Sequence, residues 1–165
     1  MHSISSSELN ESGMTPDEFE QRFNKEAKKL LSENTKSINL EYSHGENLNN
    51  FSYEFNNNLI LVDGFNKDTN KIAELILMTK DELEGDSLKS YLQVVGIIMK
   101  VFNPYMTTNE IISMIYNKLD LSNVINNHEV KSYKVESEVY NSLRYSFNYS
   151  SGKLGLLFTM SISED

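Results

Sequence analysis

The stretch Leu88–Phe102, LKSYLQVVGIIMKVF, constrains the fold more than any other part of the chain. On a helical wheel Leu88, Tyr91, Leu92, Val94, Val95, Ile97, Ile98, Val101 and Phe102 cover most of the circumference, leaving Lys89, Gln93 and Lys100 as a narrow polar stripe. A helix that is apolar nearly all round has to be buried. The run is too short to cross a bilayer and carries Lys100. The reading is therefore a buried central helix over about residues 87–103, capped by Asp86 or Ser87, ended by Pro104 and wedged against a sheet.

Two similar stretches flank this helix 92 positions apart, MTPDEF at Met14–Phe19 and MTTNEI at Met106–Ile111. Each places a threonine (Thr15, Thr107) at a helix N-cap and a glutamate (Glu18, Glu110) three residues on, the spacing of a capping box. Met14 with Phe19, and Met106 with Ile111, fit the outer pair of a hydrophobic staple. Pro16 takes the first helical position, where its missing N–H is harmless. Phe19, Phe23, Ala27, Leu30 and Leu31 continue one stripe, and Ile111, Met114, Ile115, Lys118 and Leu119 the other.

The likeness has two readings: two helix starts converging on one stable solution, or a duplicated unit. For duplication, FSYEFN at Phe51–Asn56 maps onto LRYSFN at Leu143–Asn148 with the same offset. Asn66–Thr79 maps onto Asn148–Ser161 with an offset of 82, which leaves LILVDGF at Leu59–Phe65 as an extra strand. The expected organisation is a leader over 1–13 and a single domain over 14–165. That domain consists of two repeats, 14–80 and 106–162, joined by the buried helix.

Strands follow from alternation. Phe51, Tyr53 and Phe55 share one face, as do Leu143, Tyr145, Phe147 and Tyr149, and as do Leu154, Leu156, Phe158, Met160 and Ile162. NKDTNK and YSSGK supply turns. SINLEYS and EVKSYKVES read as weaker, more solvated strands. Most sequential strands can pair by hairpins. The fold class expected is α+β, an antiparallel sheet of two α-β(3-4) units with helices on one face.

The chain has 165 residues and a formal charge of −9, with Arg22 and Arg144 as its two arginines. That balance argues against a phosphate backbone or an anionic bilayer as partner, so no nucleic acid is expected. The absence of cysteine excludes disulfides, zinc thiolates and thiol catalysis. The Ser-rich start, MHSISSSELNESG, reads as a flexible leader, and further chain upstream, such as a signal or an anchor, would fit it.

Catalytic and metal motifs are missing. His2, His44 and His128 have no partner at ligand spacing and read as loop histidines. DGFNKDTNK lacks the spacing and terminal glutamate of a calcium loop and reads as a strand end plus hairpin. The acidic run KDELEGDS reads as a solvated loop, and no phosphate-binding glycine loop or nucleophile elbow is present. No catalytic, cofactor-binding or metal residue is assigned, and no cofactor is expected.

Tyrosines are the remaining candidates, because one end of the ring is apolar and the other polar. Tyr53 and Tyr145 lie in apolar stripes and read as core. Tyr42, Tyr133 and Tyr140 lie in the more polar strands and read as a protein-binding surface. The tandem arrangement, MTPDEF…FSYEFN and MTTNEI…LRYSFN behind a Ser-rich leader, resembles small secreted or lipid-anchored bacterial proteins built from helix-plus-sheet repeats. The β-lactamase-inhibitor-protein layout is one of these. That resemblance is of layout and implies a non-catalytic domain that binds another protein, tethered at a Gram-positive cell surface. An enzyme with an unfamiliar site is a further reading. So is a cytosolic acidic chaperone or immunity-type protein that masks a basic partner.

Overall fold

In the computed structural model, the described residues are 13–31, 41–44, 48–56, 58–80, 84–127, 136–150 and 155–162. Helix α1 (Pro16–Leu31) precedes strands β1 (Glu41–His44), β2 (Leu48–Asn56), β3 (Leu59–Asn66) and β4 (Ile72–Thr79). Helix α2 (Gly85–Phe102) follows, then α3 (Thr108–Ser113), a π-helical turn (Met114–Lys118) and α4 (Leu121–Asn127). Strands β5 (Ser137–Tyr140), β6 (Leu143–Ser150) and β7 (Gly155–Ile162) complete the described chain. All seven strands form one antiparallel sheet in the order β1-β2-β3-β4-β7-β6-β5, so the fold is α+β.

The helix starts form for the reasons their sequences give. Thr107 accepts from the Glu110 amide at 3.1 Å while the Glu110 carboxylate accepts from the Thr107 amide at 3.3 Å, a complete capping box. At α1 the Thr15 hydroxyl accepts from the Glu18 amide and also donates to the Glu18 carboxylate, both at 3.2 Å. Met14 and Met106 are both buried where their staples place them.

Helix α2 is the core element its composition demands. Tyr91, Val94, Val95, Ile97, Ile98, Met99 and Val101 are buried, while Lys89 and Gln93 stay exposed and Lys100 is half-buried. Its start differs from expectation: Glu84 occupies the N-cap with no side-chain hydrogen bond, and Asp86 sits within the first turn. The backbone turns in at Gly85, whose φ of +63° costs glycine little.

The helices lie on one face. Phe19 of α1 packs its ring 5.9 Å from Phe51 on β2 and 5.8 Å from Phe102 on α2. Tyr91 of α2 packs against Phe147 at 6.4 Å, and its hydroxyl donates to the Leu77 carbonyl at 3.5 Å. The sheet's inner face therefore carries Phe51, Leu61, Leu75, Leu77, Tyr145, Phe147, Phe158 and Met160, all fully buried.

The sheet corrects how the two halves were matched. β4 and β7, the last strand of each half, meet at the centre, so counting outward β6 takes the place of β3 and not of β2. Under the duplication reading, that count leaves the edge strand β1, and not Leu59–Phe65, without a counterpart. The offset of 82 also sets buried Leu75 against Leu157, which points to the other face. Side chains alternate with a period of two, so an offset wrong by one residue exchanges inside for outside. His44 likewise ends β1, paired with Asn49, where the sequence suggested a turn.

Candidate functional site

The face of the sheet away from the helices carries two apolar-centred rows that cross the strands, beside a third, polar row of Arg144, Ser161, Glu74, Gly64 and Asn50. One row runs Glu54, Ile60, Met78, Leu157 and Asn148 across β2, β3, β4, β7 and β6. Its neighbour runs Glu41, Ser52, Val62, Ile76, Thr159 and Ser146 across β1, β2, β3, β4, β7 and β6. Ile60, Val62, Ile76, Met78 and Leu157 are all partly exposed, and none belongs to the packed core or its fringe. Among the described residues no helix covers this face.

These five side chains face outward for a simple reason. LILV in β3, LILM in β4 and LLF in β7 are continuous apolar runs, so each strand presents apolar groups to both sides. One side meets the helices and the other, among the described residues, is left open. The central apolar block is flanked by hydroxyls, with the Ser146 and Thr159 side chains 2.6 Å apart, and by charge. Glu41, Glu54 and Glu74 point outward, and none forms an ion pair with a described residue. Where the two rows reach β1 and β2, Glu41, Ser52, Tyr53, Glu54 and Ile60 line a hollow of about 470 Å³.

On the helix side, a shallower groove of about 520 Å³ runs between α2 and the α3–π segment, walled by Leu88, Leu92, Ile111, Ile112, Ile115 and Tyr116. Ile112 and Tyr116, one turn apart, are 49% and 44% exposed. The π turn is closed by the Leu119 amide donating to the Met114 carbonyl at 2.8 Å, a five-residue step that inserts one residue into the helix.

The tyrosines picked out from the sequence do not come together. Tyr42 lies on the edge strand β1, with its ring on Phe51 and Phe65 and its hydroxyl donating to Asp17 of α1 at 3.1 Å. Burial, then the Asp17 hydrogen bond and the Asp17 and Glu20 charges, push its pKa up to about 12. Tyr140 lies on the opposite edge strand β5, half-buried beside the core. Six strand spacings of about 4.8 Å separate those edges, roughly 29 Å. Both side chains pair with buried residues, Phe51 and Leu143, and so sit on the helix side and not on the open face. Tyr133 lies outside the described residues.

Sequence reasoning missed one buried charge. Asp63 sits on the inner face in the row Phe51–Asp63–Leu75, 2% exposed, with neither carboxylate oxygen hydrogen-bonded. Burial holds this carboxyl well above the usual carboxylate range; the nearby Gly64 amide pulls it back down and the Glu74 charge pushes it up. Its neighbours in the row, Phe51 and Leu75, are fully buried, and it lines neither the hollow at β1 and β2 nor the groove beside α2. Among the described residues no three His, Asp or Glu side chains are placed to hold a metal ion, and no helix is long and apolar enough to cross a membrane.

No family model, no curated protein and no solved structure matches this chain.

Proposed function

We propose that this protein is a non-catalytic protein-binding domain whose contact surface is the open face of the sheet. The observation that carries this reading is the block of Ile60, Val62, Ile76, Met78 and Leu157, left partly exposed at the centre of an uncovered face. Two edge strands of four residues and five inner strands of eight or nine, at ~3.3 Å per residue and ~4.8 Å between strands, offer roughly 780 Å², close to the ~800 Å² per partner of a standard interface. An apolar centre within a polar, charged rim is how recognition surfaces are built. The groove beside α2 has Lys89 and Gln93 at its edge and lacks the acidic residues that flank the open face.

Two settings fit such a domain. One is a surface-tethered bacterial protein, the other a cytosolic acidic protein that masks a basic partner, and the contact surface is the same in both. The double variant Ile76→Lys with Leu157→Glu tests it, compared with Ile112→Lys in the groove. Capture of a partner from the native host is expected to disappear with the first variant and to persist with the second, both remaining folded by circular dichroism. Capture that survives the sheet variant and is lost with the groove variant overturns the reading.

A further inference from the structure

The open face has a polarity along its rows, and that polarity specifies a partner. The row Leu157–Met78–Ile60 ends in Glu54, and the row Thr159–Ile76–Val62–Ser52 ends in Glu41, both toward β1 and β2. At the other end the rows finish in Asn148 and, through Ser146, in Ser137, where the Arg144 guanidinium on the same face donates to the Ser137 hydroxyl at 2.8 Å, so that end carries no carboxylate. The acidic end is also concave, the hollow of about 470 Å³ that both glutamates line. Glu41 and Glu54 are diagonal neighbours on one face, a geometry that puts their Cβ atoms about 7 Å apart. Two like charges at that range, with no described cation between them, repel weakly and gain when a cation enters.

The spacing of the rows sets the shape of what fits. Two residues along a strand advance about 6.7 Å, so the two rows form a band that a helix about 10 Å across can cover. From Leu157 to Glu54 the row crosses three strand gaps, about 14 Å, which a helix spans in roughly ten residues. A second copy of this chain is a poorer occupant than a basic partner, because two molecules of net charge −9 repel each other.

Resting on the binding reading above, we infer that the occupant is an amphipathic helix of a partner protein, lying across β7, β4 and β3 with an apolar face of about ten residues and a Lys/Arg cluster at the end that reaches Glu41 and Glu54. Apolar contacts hold the helix, and the cation at one end sets its direction.

The test uses the full chain and two synthetic helical peptides of equal length, a ten-residue Leu/Ala face ended by four lysines or by four glutamates. Binding is read by fluorescence anisotropy and mapped by amide chemical shifts. The lysine peptide is expected to bind at the strand rows, more weakly as salt rises, and the glutamate peptide at least about tenfold more weakly. Glu41→Gln with Glu54→Gln is expected to weaken the lysine peptide about five- to tenfold, while Glu84→Gln with Asp86→Asn, an equal charge change in the helix layer, leaves it within about twofold. Equal loss from both pairs of substitutions, or shifts mapped away from the rows, overturns the inference. If the native partner is lost with Ile76→Lys/Leu157→Glu yet indifferent to the glutamate pair, the open-face reading stands and the cationic helix is excluded.

Discussion

The Asn103 side-chain amide donates to the Tyr145 hydroxyl at 2.8 Å, joining the end of the central helix to β6 inside the core. The same amide donates to the Met99 carbonyl at 2.9 Å, and its oxygen accepts from Asn141 at 3.1 Å. Asn103 is 2% exposed and Tyr145 is fully buried, so each depends on the other for satisfaction.

This pair predicts an asymmetry. Asn103→Ala strands a buried hydroxyl and removes three hydrogen bonds, and should cost about 2–4 kcal/mol. Tyr145→Phe leaves Asn103 with its other partners and should cost about 1 kcal/mol. Urea unfolding of the singles and the double, taken as a cycle, should show less than additive loss, because both break one network.

Asp63 predicts an unusual pH dependence. Its folded-state pKa is raised by burial, so between the unfolded value near 3.9 and that raised value the folded chain binds more protons than the unfolded one. The contribution of Asp63 is fully favourable below pH ~4 and is lost as pH rises toward the folded pKa, by up to about 1.4 kcal/mol per unit. Asp63→Leu should remove that slope and raise stability at neutral pH, since it removes an orphaned buried carboxyl. Stability measured by denaturant at several pH values between 4 and 8 checks both.

Gly155 predicts a backbone constraint at the centre of the sheet. Its φ is +73°, and any side chain there would collide with the Thr79 carbonyl at the β4–β7 seam. Gly155→Ala should cost about 1–3 kcal/mol, seen as a fall in Tm of several degrees.

The parts of this fold legible in the sequence were those set by neighbours along the chain. Helix α2 was legible because apolar residues surround it, and the helix caps because Thr15–Glu18 and Thr107–Glu110 are local, although only the second closes as a full capping box; at the first the Glu18 carboxylate takes the Thr15 hydroxyl instead of the amide. The order of the strands was not, since β4 meets β7 about eighty residues away in sequence and no short-range pattern encodes that pairing. The π turn was hidden because its one-residue insertion matters only once Met114, Ile115 and Leu119 are packed. Helix α4 was hidden because LSNVINN is rich in asparagine and gains its order from burying Leu121 and Val124. The open face escaped for a related reason. In runs such as LILV and LILM every position is apolar, so the outward Ile60, Val62, Ile76 and Met78 look the same as the inward Leu61 and Leu77. Asp63 falls within the expected strand Leu59–Phe65, but its burial beneath the helix layer was hidden, because a carboxylate at an inward position breaks the apolar alternation.

The most direct measurement places a photo-crosslinking side chain at Ile76, at the centre of the open face, and another at Ile112, in the groove on the helix side. A discrete adduct with one partner from Ile76, lost when Leu157→Glu is added, and none from Ile112, is the result this account predicts. An adduct from Ile112 with none from Ile76 would contradict it.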